Sequence, residues 1–176
     1  NTYAKVEELK EKFEPVLNYP NVIGLALATR PDAITDECLD YLEDLSKRTY
    51  LMIELGLQTI HETTSKLINR CHTTQEFDDM VKKLRARNIN VIVHIINGLP
   101  YETKEMMLQT ISHVSRLPVS GIKLQLLHVL KNTELGNRYL EKPFPVMELM
   151  PYCDLVIDCL ELLPPDLVVH RLTGDG

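Results

Sequence analysis

Tyr50-Leu-Met-Ile-Glu-Leu-Gly-Leu-Gln-Thr-Ile-His-Glu-Thr-Thr-Ser-Lys-Leu-Ile-Asn-Arg70 starts as an apolar strand, turns polar at its far end and runs into a helix. Successive strand side chains point to opposite faces. Leu51, Ile53, Leu55 and Leu57 therefore share one side, and Met52, Glu54, Gly56 and Gln58 the other. One face is plain core; the other carries a carboxylate, a backbone gap and an amide. In parallel α/β sheets ligands collect at the carboxyl ends of the strands, which puts Gln58 and the loop after it where a site would be built. Glu54 and Gln58 equally suit a role in satisfying buried partners, and the strand alone does not separate the two.

Outward from this stretch the pattern repeats. Towards the amino end, helical spacing over Ala4 to Asn18 puts Val6, Leu9, Phe13, Val16 and Leu17 on one stripe, and Tyr19-Pro20-Asn21 breaks it. Val22 to Ala28 reads as a short strand buried on both faces, Thr29 to Asp32 as the polar loop at its carboxyl end. A helix over Thr35 to Lys47 packs Cys38, Leu39, Leu42 and Leu45.

Towards the carboxyl end, a short helix is expected near Glu62 to Asn69. Thr73 and Glu76 form a capping box before a helix with Phe77, Met80, Val81 and Leu84 inward. Ile89 to Ile96 is the third strand, Asn97-Gly98-Leu99-Pro100 a tight turn, Thr103 to Arg116 a helix and Gly121 to Leu127 the fourth strand. A loop from His128 leads to a helical turn over Leu135 to Leu140. The last helix, Val146 to Leu163, is expected to bury Leu149, Cys153, Val156, Ile157 and Leu160, and Leu167 to Leu172 is a candidate fifth strand. Strands alternating with helices imply right-handed βαβ crossovers and a parallel sheet. A closed eight-unit barrel needs about 250 residues, so the expectation is a partial barrel or curved open sheet forming one domain over residues 1–176.

The 176 residues are 44% apolar and 25% charged, enough for a real core. The apolar runs are of strand length, far short of the ~20 residues of a membrane helix. A formal charge of -6 gives no basic footprint for nucleic acid, and Lys82, Lys83, Arg85 and Arg87 read as a solvated helix face. The four cysteines lack metal-clip spacing and read as free cytosolic thiols: Cys38, Cys153 and Cys159 on apolar helix faces, Cys71 more exposed. No metal site is expected among them. Each strand ends in polar groups, namely Thr29 and Arg30, then Gln58, then His94 with Asn97 and Gly98, then Gln125 with His128; Arg70 and His72 lie in the loop beyond the second strand. Such endings on neighbouring strands define a site rim. His94 alone also suits a hydrogen-bonded core histidine, and Arg70 either a solvated cation or a carboxylate clamp.

At Ala28-Thr-Arg-Pro-Asp32, Glu54-Leu-Gly-Leu-Gln58, Asn69-Arg70 and Asn97-Gly-Leu-Pro-Tyr-Glu-Thr103 the chain resembles the radical S-adenosylmethionine enzymes. The likeness is closest to the bacterial iron-sulfur oxidoreductase branch, with relatives in the Elongator catalytic subunit and oxygen-independent coproporphyrinogen dehydrogenase. The resemblance implies an α/β fold, a partial (β/α)6 barrel of which this chain supplies strands three to six, the C-terminal portion of the core domain. It implies S-adenosylmethionine and a 4Fe-4S cluster as cofactors, a 5'-deoxyadenosyl radical as the working species, and a separate electron donor protein. Carried over by position, Thr29, Arg30, Glu54, Gln58, Arg70, His94 and His128 would bind the cofactor: Gln58 and Arg70 its methionine and ribose part, His94 the ribose, His128 the adenine. Ala28 and His94 stand where relatives carry acids. The family's C-x3-C-x2-C cluster motif does not occur in these residues, and a cluster needs its thiolates. The chain is therefore expected to be inactive by itself, a piece of a cytoplasmic enzyme, with an exposed sheet edge prone to self-association. The rival readings are a cofactor-free barrel lyase or isomerase using His94, Glu54 and Lys123, and a non-enzymatic interaction module.

Overall fold

A computed structural model describes residues 1–174. Seven α-helices and five strands among these residues alternate as α1 (Val6–Phe13), β1 (Gly24–Thr29), α2 (Asp36–Arg48), β2 (Tyr50–Gln58), α3 (Glu62–Leu67), α4 (Thr74–Ala86), β3 (Asn90–Asn97), α5 (Lys104–Val114), β4 (Gly121–Leu126), α6 (Glu134–Glu141), α7 (Leu149–Glu161) and β5 (Val168–Arg171). The strands form one sheet in the order β1-β2-β3-β4-β5, with β1 on β2 and β4 on β5 in parallel. Sequential order in a parallel sheet is what right-handed helical crossovers produce, and the expected α/β partial-barrel class stands. No helix of the described residues is long and apolar enough to cross a membrane.

The chain divides into two units, residues 1–57, 72–93 and 117–120 in the first and 58–71, 94–116 and 121–176 in the second. The first unit is built on β2, where Leu51, Ile53, Leu55 and Leu57 are buried and the alternate residues half-buried, as the alternation requires. Against it α2 buries Cys38, Leu39, Tyr41, Leu42 and Leu45, started by the Thr35 hydroxyl accepting from the Cys38 N–H. Helix α4 opens with a complete capping box: the Thr73 hydroxyl accepts from the Glu76 N–H and Glu76 accepts from the Thr73 N–H.

Two expectations fail here. Helix α1 ends at Phe13 and continues as a 3-10 turn over Glu14–Asn18, because Pro15 has no N–H to carry the α ladder. Strand β1 starts at Gly24 rather than Val22 and is not buried on both faces. Ile23 is 88% exposed and Ala26 and Ala28 are open, so one face of β1 is left uncovered by the described residues.

In the second unit β4 and β5 approach closely at Gly121, where a Cβ would lie 2.6 Å from the His170 ring and 2.8 Å from the Val168 carbonyl oxygen. Helix α7 corrects a third expectation. It buries Tyr152, Leu155, Val156 and Cys159, whereas Leu149, Cys153, Ile157 and Leu160 face outward. The helix is apolar around most of its circumference, so periodicity did not single out the inward face. Strand β5 is exposed along its whole length. The last two residues of the Arg171-Leu-Thr-Gly-Asp-Gly176 segment lie outside the described residues.

Candidate functional site

Gln58 ends β2 with a φ of 64°, a left-handed conformation that side chains other than glycine seldom adopt. The loop beyond the strand holds it there. The Thr59 hydroxyl donates to Glu102 Oε1 at 2.6 Å and accepts from the His61 N–H at 3.1 Å. The Ile60 N–H donates to the Thr110 hydroxyl, and His61 Nε2 donates to the Met106 carbonyl at 2.9 Å, tying the loop to α5. Arg70 closes the loop from its other end, its guanidinium donating to the Thr59 carbonyl and pairing with Glu62 at 3.4 Å. The Arg70 side chain is 2% exposed, so the cation is spent inside the protein, on a carbonyl and a carboxylate that offset its desolvation. Thr59 and Glu102 were not singled out from sequence. Glu102 lies in the Asn97 to Thr103 stretch that carries the family likeness, and Thr59 directly follows Gln58.

Within this network the Gln58 side-chain oxygen is buried and has no hydrogen-bond partner among the described residues. Glu102 Oε2 is in the same condition. A buried acceptor without a donor is costly, by roughly 1–3 kcal/mol. Within β3, His94 Nδ1 lies 3.4 Å from Gln125 Nε2, which can donate to it. Asn97 is fully buried, its backbone carbonyl accepting from the Leu127 N–H, while its amide lies near the Cys159 thiol without hydrogen-bond geometry to it. Gly98 then turns at a φ of 78°, its N–H donating to Met107 Sδ at 3.0 Å. A Cβ here would sit 3.4 Å from Leu126 and 3.7 Å from Met147. Those two residues belong to a cleft of about 610 Å³ past the end of β4, lined also by His128, Leu130, Tyr139 and Leu140. His128 is exposed, 3.1 Å from the Gly174 carbonyl oxygen.

The first unit carries the other three expected residues. Glu54 is half-buried and in register with Ala28 of β1. Thr29 is buried and shares a 2.7 Å hydroxyl contact with Thr2, which donates onward to the Ala33 carbonyl. Arg30 forms a two-point ion pair with Asp32 and lies 5.5 Å from the centre of the Tyr3 ring. The Arg30 guanidinium holds the Asp32 carboxyl below its ordinary range, against the opposing effect of burial. His72 is buried with Nδ1 3.9 Å from the same carboxylate.

A thiolate-held cluster does not fit these residues. No group of three or more His, Cys, Asp or Glu side chains capable of holding a metal occurs among the described residues. Burial pushes the Cys38 and Cys159 thiols up to about 11, away from the thiolate form that iron requires. Cys71 and Cys153 are exposed. Cys153 departs from its expected apolar environment because it lies on the outward side of α7.

The family model described as the Radical SAM superfamily matches residues 1–114, and that of the Radical_SAM C-terminal domain matches residues 119–176. An uncharacterized protein of Bacillus subtilis, YtqA, is 49% identical over all of this chain, which spans 55% of that protein's length. Among solved structures, an archaeal Elp3 from Methanocaldococcus infernus superposes with a TM-score of 0.78 at 20% identity, over 88% of this chain and 36% of that one. Coproporphyrinogen III oxidase from Escherichia coli, whose structure is described as that of a radical SAM enzyme, gives a TM-score of 0.69 at 16% identity over 92% of this chain and 36% of its own. These structures share the fold. The family model that matches residues 1–114 goes further: this chain belongs to the radical SAM superfamily.

Proposed function

We propose that this chain supplies the S-adenosylmethionine cradle of a radical enzyme whose cluster ligands lie outside these residues. The observation that carries it is the buried, partnerless side-chain oxygen of Gln58, at the carboxyl end of a parallel strand and fixed by Thr59, Arg70 and Glu102. Bound there, S-adenosylmethionine would supply one-electron chemistry for hydrogen abstraction from an organic substrate, with the electron provided by a separate donor protein.

The chain's own residues have binding work. Gln58 accepts a hydrogen bond from the ammonium or a hydroxyl of the cofactor. Arg70 fixes the loop from within, and His94, 3.4 Å from Gln125, serves the ribose. His128 serves the adenine. In the first unit Thr29 and Arg30 hold the end of β1 through Thr2, Tyr3 and Asp32.

Calorimetric titration of S-adenosylmethionine into the anaerobically reconstituted protein, expressed in its natural reading frame, tests this. Gln58→Ala should raise Kd about tenfold, equivalent to ~1.4 kcal/mol. Unchanged affinity in that variant, or no binding by the parent, would refute it.

A further inference from the structure

Strand β4 is core on one face and basic on the other. Ile122 and Leu124 are buried, so Gly121, Lys123 and Gln125 share the opposite face, where both long side chains are half-buried. Strand β5 runs beside it in parallel, and the register breaks there: Ile122 pairs with Val169 but Lys123 pairs with Arg171, which makes His170 an extra residue. Such a bulge re-aims side chains. A Cβ on Gly121 would lie 2.6 Å from the His170 ring, so that ring stands over Gly121 on the Lys123 face, and Arg171 stands beside Lys123. The chain beyond Arg171 is pinned. The hydroxyl of buried Tyr152 donates to the Leu172 carbonyl at 2.6 Å, and the Gly174 carbonyl oxygen lies 3.1 Å from His128 Nε2.

We propose that Lys123 and Arg171 hold an oxyanion of the substrate, a carboxylate or a phosphate, which makes the substrate an organic anion. Their strands run about 4.8 Å apart, and two cations at that spacing repel each other unless an anion lies between them. The chain as a whole carries a formal charge of -6, so the pairing does not follow from a general excess of basic residues. Arg171 is exposed and makes no ion pair among the described residues, and its guanidinium presents two parallel donors to an oxyanion. Gln125 lies two residues, about 6.6 Å, further along β4, where it meets His94 at 3.4 Å. A substrate anchored at the two cations therefore extends past Gln125 towards the carboxyl ends of the strands. Calling the anion a substrate's rests on the cofactor reading above; the anion site itself does not.

Thermal melts of the protein expressed in its natural reading frame, in succinate, inorganic phosphate or chloride at equal ionic strength, are the test. Succinate or phosphate well above its Kd should raise the melting temperature by about 2–4 °C relative to chloride, and the more effective of the two tells carboxylate from phosphate. Arg171→Gln should lose that shift, and Arg171→Lys, which keeps the charge without the fork, should retain part of it. Arg171 lies on an exposed strand, so neither change disturbs the core. The shift must persist in saturating S-adenosylmethionine. Equal shifts in the parent and in Arg171→Gln would overturn the proposal, and so would a shift that S-adenosylmethionine abolishes, since the site would then belong to the cofactor's own carboxylate. Failure of S-adenosylmethionine to bind refutes the cofactor reading alone, because the melts need no cofactor.

Discussion

Arg70 illustrates how a cation at a strand end is used structurally before it is used chemically. Its buried guanidinium satisfies the Thr59 carbonyl and pairs with Glu62, so Arg70→Ala orphans a buried acceptor and should destabilise the protein by about 1–3 kcal/mol. Urea unfolding with an unchanged m-value is the measurement. Asp32 gives a pH-dependent counterpart. Its carboxyl is held low in the folded protein by Arg30, so its contribution is present at neutral pH and fades as pH falls through the folded value. Asp32→Asn should therefore lower stability at pH 7 and converge with the parent in strong acid, as read by thermal melts across that range. If the two curves differ equally at every pH, the ion pair is not the cause.

At the scale of elements, the capping box and the close strand contacts make separable predictions. Thr73→Ala removes an N-cap acceptor from α4 and should cost about 1 kcal/mol, with loss of amide protection concentrated in the first turn. Gly121→Ala drives a Cβ against the Val168 carbonyl oxygen and should raise exchange along β5 while α2 and β2 keep their protection. The elements were legible in sequence wherever burial is one-sided. Strand β2 alternates without exception, and α4 announces its own start. The failures share a cause: β1 and α7 are apolar on faces that the described chain does not cover, so hydrophobicity indicated burial without indicating by what. The polar end of β2 at Gln58 was legible from the alternation along that strand. Glu102 and Thr59 escaped because their role depends on a contact between residues 43 positions apart, which periodicity does not carry.

For the whole molecule, β1 and β5 are the two free edges of a five-stranded sheet. An open edge is a template for another strand, and β1 adds exposed Ile23 and Ala26 beside it. The 176-residue chain should self-associate as its concentration rises, and Ala26→Lys should shift light scattering towards the monomer. A strict monomer at high concentration would show that the edge is protected in some other way.

The sulfur of Met107, which accepts the Gly98 N–H, sits 3% exposed under the turn that ends β3. A peroxide has no route to that thioether while the fold is closed, whereas Met150 at 67% exposure is open to it. The lag between sulfoxide formation at the two positions, tracked by mass spectrometry, thus becomes a clock for how often the floor beneath the turn breathes. Once the inner sulfur takes up oxygen, the added bulk and polarity should unseat Gly98 and leave the strand end misaligned until a reductase removes it.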